Sequence, residues 1–357
     1  MPRVSGVIPA AGEGTRLRPL TLAAPKHLIS LLGKPMIGYP IEHLVEAGVS
    51  DITIVVGYLG HLIRGALGDG SSFGARLSYV TQEERLGIAH AIHLAIEEAS
   101  IAGPFVVYLG DNILKGGIMR YLNRFLEGGY DVYILLARVR DPSRFGVAVL
   151  RDGRIVKLVE KPRHPISDLA VIGVYFFRDP DLVEKAFSTL KPSGRGEYEI
   201  TELIQWFIDH GYNIGYETVS GWWKDVGTPQ GLLEALYLLL DEVEPRLEGS
   251  VEGEVYGRVI VEEGAVVEGK VYGPAYIGRG SRVGPKAKVE HYVSLEPASH
   301  VASGTVTRSL LLEESLVDIN SLRLVDSVIG RRARITCKRE LYGTLQAALS
   351  DYSSVEI

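Results

Sequence analysis

From residue 4 onward, short apolar runs alternate with longer stretches in which apolar residues recur at helical spacing. Val4–Ile8, Ile52–Val56 and Phe105–Leu109 have the first pattern, and the stretches around Met36–Ala47 and Ile88–Glu98 have the second. This alternation predicts βαβ units and a mostly parallel sheet, with ligands expected at the carboxyl ends of the strands. Further strands are expected over Val132–Leu136, Gly146–Leu150 and Val171–Phe177. Leu233, Ala235, Leu236 and Leu239 share one face of a helix expected from Gln230 to Glu242, which Pro245 would stop. A first domain is therefore expected to span residues 1–245.

Past Gly249 the period changes to six. Val259, Ala265, Val271, Ile277, Val283, Val289, Leu295 and Val301 keep this register, and small residues at Ala275, Ser281, Ala287 and Ser299 precede several of them by two. Such a hexad predicts a parallel β-helix over residues 246–357, each hexad forming one flat face of a coil with its aliphatic side chain inward. The phase slips after Ser303 and resumes through Leu311, Val317, Ile329 and Ile335, as expected for a loop bulging from a coil. A short helix over Leu341–Leu349 is expected to cap the open end.

Composition narrows the function classes. The 357 residues exceed the usual size of one core, and 46% hydrophobic with 23% charged residues fits a folded chain. A formal charge of −6 argues against a protein whose main task is gripping nucleic acid, so an anionic ligand must be held locally. The single cysteine, Cys337, excludes an internal disulfide framework and any CxxC site, and points to the reducing cytoplasm. No run approaches the roughly 18 apolar residues of a membrane span, and the first residues lack the pattern of a secretory signal.

The segment Val7-Ile-Pro-Ala-Ala-Gly-Glu-Gly-Thr-Arg-Leu follows the first strand directly. Gly12 and Gly14 let the backbone approach a phosphate closely, and Arg16 adds a full positive charge. Two familiar phosphate motifs fail in detail. The third glycine of GxGxxG would be Leu17, and Gly33-Lys34 is followed by Pro35 rather than Ser or Thr.

Several segments together carry a closer likeness. They are Gly12-x-Gly14-Thr15-Arg16-Leu17-x-Pro19-x-Thr21, Pro25-Lys26, Gly33-Lys34-Pro35-Met36, Gln82-Glu83-x-x-Leu86-Gly87-x-Ala89-His90-Ala91 and Tyr108-Leu109-Gly110-Asp111-Asn112. In this order they resemble the sugar-phosphate nucleotidyltransferases. Within that family they are similar to the glucose-1-phosphate thymidylyltransferases, in the long form that carries a C-terminal β-helix. The resemblance covers essentially the whole chain. It implies a Rossmann-like α/β nucleotidyltransferase domain followed by a left-handed parallel β-helix, in a cytoplasmic homo-oligomer acting on small molecules rather than on nucleic acid or membrane.

The resemblance also implies a reaction. A sugar 1-phosphate oxygen attacks the α-phosphorus of dTTP or UTP in line and pyrophosphate leaves, so the protein must gather two polyanions and stabilise their charge. Asp111 and Asp225 would hold Mg²⁺, which prefers oxygen ligands. Arg16 would bind the leaving phosphates and Lys26 would bridge phosphates at the reacting centre. The loop residues Ala11, Gly12, Gly14 and Thr15 would cradle the triphosphate, and Gln82 and Gly87 would read a pyrimidine base. In Val159-Glu160-Lys161-Pro162, Glu160 would hold sugar hydroxyls and Lys161 the sugar phosphate. Gly146, Gly173 and Tyr175 would wall the sugar pocket, with Arg195 closing on the phosphate.

Two positions depart from the thymidylyl pattern. Ala11-Gly12 replaces the paired glycines and resembles the uridylyltransferases, and His27 stands where glutamine is usual. The expected product is dTDP-glucose from dTTP and glucose 1-phosphate, with a UTP-using or broad-specificity enzyme as the alternative. A sugar-nucleotide sensor without turnover would be expected to lose the carboxylates and cations that this chain keeps. Acyl transfer on the β-helix would need a base such as His291 or His300, neither of which sits in a recognised motif.

Overall fold

The computed structural model describes residues 3–164 and 166–357. By its contacts the chain divides into two units. The first comprises residues 1–13 and 37–225, and the second 14–36 and 226–357. This division departs from a single cut at residue 245.

The first unit is built on a nine-stranded mixed sheet. Ser5–Ala10 lies at its centre, parallel to Asp51–Val56 on one side and to Phe105–Tyr108 on the other, and Arg76–Thr81 adds in parallel beyond Asp51–Val56. Leu169–Phe177 then runs antiparallel to Phe105–Tyr108, to Val132–Arg138 and to Gly146–Arg151, which pairs antiparallel with Arg154–Glu160. The expectation of a mostly parallel sheet thus holds for the first half of the unit only. In the second half, short connections such as the turn between Arg151 and Arg154 reverse the chain, and only Ile214–Thr218 returns in parallel.

The core follows from the pattern. The helix Ile88–Ala99 turns Ala89, Ala91, Ile92, Ala95 and Ile96 into a cluster with Val7, Val107 and Phe177. Phe105 and Phe177 stack at 5.3 Å, each burying a side chain worth about 2–3 kcal/mol. Because the central strands are parallel, Ala10, Val56, Thr81 and Tyr108 end on one edge of the sheet. Ala11, Gln82 and Asp111 all follow on that edge.

In the second unit, parallel strands stack into two sheets. One runs from Arg246–Leu247 to Ala348–Leu349 and the other from Ser250–Val251 to Ser354–Glu356, each in chain order. Val261, Ile277, Leu295, Leu311, Ile329 and Leu349 form one continuous ladder. All eight hexad positions from Val259 to Val301 are buried, as are Ala275, Ser281, Ala287 and Ser299. The phase slip is taken up inside the strands His300–Thr307 and Leu316–Val325, through register shifts and left-handed turns at Gly304 and Asn320, rather than by a loop leaving a coil. The helix expected over Leu341–Leu349 does not form. Thr344–Leu345 and Ala348–Leu349 instead continue the stack, because their backbone groups pair with Arg323–Leu324 and Val328–Ile329. The helix Pro229–Leu240 does form, with Thr228 capping Gly231 N at 3.1 Å and proline in the first turn.

Segment 14–36 belongs to this unit through buried polar contacts. The Glu296 carboxylate, fully buried, accepts Leu32 N at 2.9 Å, Gly33 N at 2.8 Å and Ser294 Oγ at 2.6 Å. Ser30 Oγ donates to Glu313, whose other oxygen accepts Arg331 Nε at 2.9 Å, and Arg331 also donates to Leu28 O. Burial is the main cause that pushes the Glu296 carboxyl up to about 7, with the nearby Glu313 adding to it against the three donors.

A folded-state value above the unfolded one means that ionising Glu296 costs the folded chain. The cost is absent below the unfolded value near 4.5 and complete only above about 7. Urea unfolding of the native chain and of Glu296→Ala at pH 5 and pH 8 should therefore show the native advantage shrinking with rising pH, by roughly 2–3 kcal/mol. A constant difference would mean that this carboxyl does not titrate in that window.

Candidate active site

Asp111 follows Phe105–Tyr108 on the carboxyl edge of the sheet, where Gly110 N bonds Pro9 O at 3.1 Å and Leu109 N bonds Gly173 O at 2.8 Å. The chain then forms Asn112–Leu114, which pairs antiparallel with Trp223–Asp225 and sets Asp225 opposite Asn112. The two carboxylates expected to hold a metal are thus brought to neighbouring backbone positions by one short ladder.

Asn112 organises this corner, although the sequence offered no role for it beyond its place in a motif. It is buried at 2% exposure. Its Nδ2 donates to Asp111 Oδ1 at 2.9 Å, while Oδ1 accepts Trp223 Nε1 at 2.7 Å and Gly173 N at 3.3 Å. A Cβ on Gly173 would lie 2.7 Å from Asn112 Cγ and Oδ1. Only glycine lets the Asn112 amide reach that backbone. One oxygen of Asp111 is so fixed and Asp225 is placed by its strand, and since no group of three or more metal-ligating side chains occurs among the described residues, a hard cation held there would need phosphate oxygens and water for its remaining positions.

Tyr175 lies behind these groups, buried at 3% exposure. Burial is the largest cause pushing its phenol far above the ordinary range, and the charges of Glu160, Asp111 and Asp225 push in the same direction. Its hydroxyl therefore stays protonated.

Glu160 ends the strand Arg154–Glu160 opposite Gly146. A side chain at 146 would meet Thr201 Cγ2 at 2.5 Å and Glu160 Oε2 at 3.0 Å. Glu160 accepts Thr201 Oγ1 at 3.2 Å and Arg195 Nη2 at 3.3 Å, and Lys161 Nζ stands 3.5 Å from its Oε1. Arg195 is held chiefly by the buried Glu199, both of whose oxygens lie 2.7 Å from Nη2. Glu160, Lys161, Arg195, Glu199 and Thr201 line an open cleft of about 800 Å³. A smaller depression of about 500 Å³ lies at the opposite, amino edge of the sheet, where Arg3 and Arg76 pair with Asp51.

Gln82 follows Arg76–Thr81, with its backbone N bonded to Val56 O at 2.8 Å and its side chain buried. The amide Nε2 lies 3.1 Å from Gly87 O and 2.9 Å from His90 Nδ1. Gly87 adopts φ +96°, and a Cβ there would fall 2.6 Å from Tyr198 O, so glycine is required at this close approach. Ala11 is buried, and Glu13 pairs with the exposed Arg85 at 2.6 Å.

Gly14, Thr15, Arg16 and Lys26 fall in the second unit. Gly14 takes φ +67° at the start of the short turn Thr15–Leu17, and its carbonyl accepts Thr21 Oγ1 at 2.8 Å. Lys26 packs beside it, its Cβ 3.4 Å from where a Gly14 side chain would start. The Arg16 guanidinium rests on Gly227, its Nη2 2.8 Å from where a Cβ would start. His27 is buried in the turn Lys26–Leu28.

The Asn112 hub carries a prediction that is independent of the reaction. Asn112→Ala leaves Trp223 Nε1 and Gly173 N without their acceptor and should cost about 1–3 kcal/mol in urea unfolding. A loss below the error of the measurement would show that the strand pair holds without it.

Comparison with known proteins bears on this geometry. Residues 5–242 match the nucleotidyl transferase family. The chain is 39% identical to a glucose-1-phosphate thymidylyltransferase of Streptomyces antibioticus, covering 99% of each chain. It is 36% identical to the UTP–glucose-1-phosphate uridylyltransferase AglF of Haloferax volcanii, over 69% of this chain and all of that one. A solved Bacillus anthracis structure, named for glucose-1-phosphate thymidylyltransferase in complex with sucrose, matches with a TM-score of 0.60 at 37% identity, over 65% of this chain and 93% of that one. With the family match running through the sheet, the glycine loop and both carboxylate strands, the chain belongs to the nucleotidyl transferases and is an enzyme of that class.

Proposed function

We propose that the enzyme transfers a thymidylyl group from dTTP to glucose 1-phosphate, giving dTDP-glucose and pyrophosphate. The observation that carries this reading is the corner in which Asn112 fixes Asp111 beside the strand of Asp225, within a sheet edge that also carries Gln82.

In this reading an oxygen of the sugar phosphate attacks the α-phosphorus, the bond to the β-phosphate oxygen breaks opposite it, and pyrophosphate leaves. No covalent enzyme intermediate and no external base are needed, since the nucleophile is already an anion. Asp111 and Asp225 hold Mg²⁺, which when bound supplies positive charge to the phosphates. Arg16 and Lys26 neutralise the triphosphate and the leaving group, while Ala11, Gly12, Gly14 and Thr15 offer backbone donors. Lys161 holds the sugar phosphate, Glu160 accepts sugar hydroxyls, and the glycines at 146 and 173 with Tyr175 shape the pocket. Arg195 leaves its contact with Glu199 to meet the incoming phosphate. Gln82 and Gly87 read the base.

The stacked unit is, in this proposal, a left-handed parallel β-helix serving assembly of a homo-oligomer in the cytoplasm. Ala11-Gly12 favours UTP as the second nucleotide, because thymine and uracil differ by one methyl, worth only about 1–3 kcal/mol.

Pyrophosphate release tests the reading in a grid of dTTP, UTP, GTP and ATP against several hexose 1-phosphates, with and without Mg²⁺. A dominant, metal-dependent dTTP and glucose 1-phosphate cell is expected. Comparable UTP turnover would shift the assignment to the broader enzyme. Asp111→Asn should lower kcat by about 100-fold or more while circular dichroism and unfolding stay near those of the native chain. Native turnover in that variant would refute the metal assignment.

A further inference from the structure

Gly87 O can only accept a hydrogen bond, so the Gln82 atom 3.1 Å from it is the NH₂ group, and the amide orientation is settled by chemistry. One amide hydrogen is used there. The other points to His90 Nδ1 at 2.9 Å, which must then offer a lone pair and leave the ring proton on Nε2. Both donors of Gln82 are thereby engaged inside the protein. What the side chain has left to offer is its carbonyl oxygen, an acceptor.

We propose that His90 is a positioning residue for base selection: by accepting from Gln82 it presents the amide oxygen outward, so that the site selects a base with an N–H on the edge that Gln82 reads. The N3–H of thymine or uracil satisfies that acceptor, and the unprotonated N3 of cytosine opposes it. This inference rests on the reading that Gln82 lies against the base.

The alternative amide orientation is disfavoured twice. It would set the Gln82 oxygen against Gly87 O, and it would need a proton on His90 Nδ1. Tyr198, Phe187 and His93 surround the half-buried ring, with centroids at 6.3, 6.2 and 6.3 Å. Burial first, then His93 on the same helix, hold His90 below the ordinary histidine value, and Glu84 from the preceding turn opposes them. Glu184, on the facing helix Pro180–Phe187, is engaged with His93 Nδ1 at 2.6 Å. Glu197 comes near Gly87 with its Cβ, while its carboxylate lies 3.4 Å from Arg195 Nη2. Protonating His90 would place two donors 2.9 Å apart and release the amide.

Steady-state kinetics at pH 5.5 to 8.5 test this in the native enzyme, in His90→Leu and in His90→Gln. In the native enzyme the KM for dTTP should rise several-fold below pH 6 while kcat changes less. His90→Leu should raise this KM at every pH and raise the CTP to dTTP ratio of kcat/KM by about tenfold. His90→Gln supplies an acceptor that takes no proton, so it should restore the KM and flatten its pH profile. Equal KM profiles and equal CTP discrimination in all three proteins would overturn the inference and leave the reaction standing. Long-range ¹⁵N–¹H spectra of the ligand-free enzyme give a second reading. A proton on His90 Nε2 is expected, and one on Nδ1 at neutral pH would overturn the proposal whatever the substrate. No turnover of any pyrimidine nucleotide, with the expected tautomer, would instead overturn the reading on which the inference rests.

Discussion

The geometry of the acidic corner depends on one buried amide. Asn112 satisfies three partners from three stretches of chain: the adjacent Asp111, the indole of Trp223 and the backbone of Gly173. Each partner alone would be satisfied by water if the corner opened. Together, around the buried amide, they tie the strand carrying Asp225 to the end of the strand preceding Asp111, because losing the amide would leave the buried Gly173 N unpaired. The acidic site is therefore held by a neutral side chain, which adds no charge to a region already crowded with carboxylates. The missing side chain at Gly173 is the condition for this arrangement.

Much of this was legible in the chain. Parallel strands bury both faces, so the runs at Val4–Ile8, Ile52–Val56 and Phe105–Leu109 announced themselves, and the six-residue period marked the stacked strands because the eight hexad positions from Val259 to Val301 are all fully buried apolar ones. The placement of Asp111 at the end of an apolar run followed from the same pattern. The antiparallel half of the sheet was harder to read. Leu169–Phe177 is buried along its whole length like a parallel strand, and only its neighbours decide its direction. The terminal segment after Leu341 has a helical spacing of apolar residues, yet the open edge of the last coil offered its backbone partners that a lone short helix lacks.

What the sequence could not give were the partners. Nothing near Leu32 or Gly33 marks them as donors to a carboxylate more than 260 positions away. His90 likewise looked like one residue of a helical motif, and its meaning lies in which atom of Gln82 it faces. In both cases a polar side chain acquires its role from burial, which composition and periodicity do not record.

The attachment of Ser30 to Glu313, 283 residues later, has a consequence for synthesis. Ribosomes add about 5–20 residues per second, so segment 14–36 emerges roughly 15–60 s before the strands that hold it. During that interval Ser30, Leu32 and Gly33 have left the tunnel while Glu296 and Glu313, which hold them, are not yet synthesised. A chain interrupted after the first sheet would carry this segment but not its anchorage. Segment 14–36 is thus anchored only among the last events of the chain's own translation.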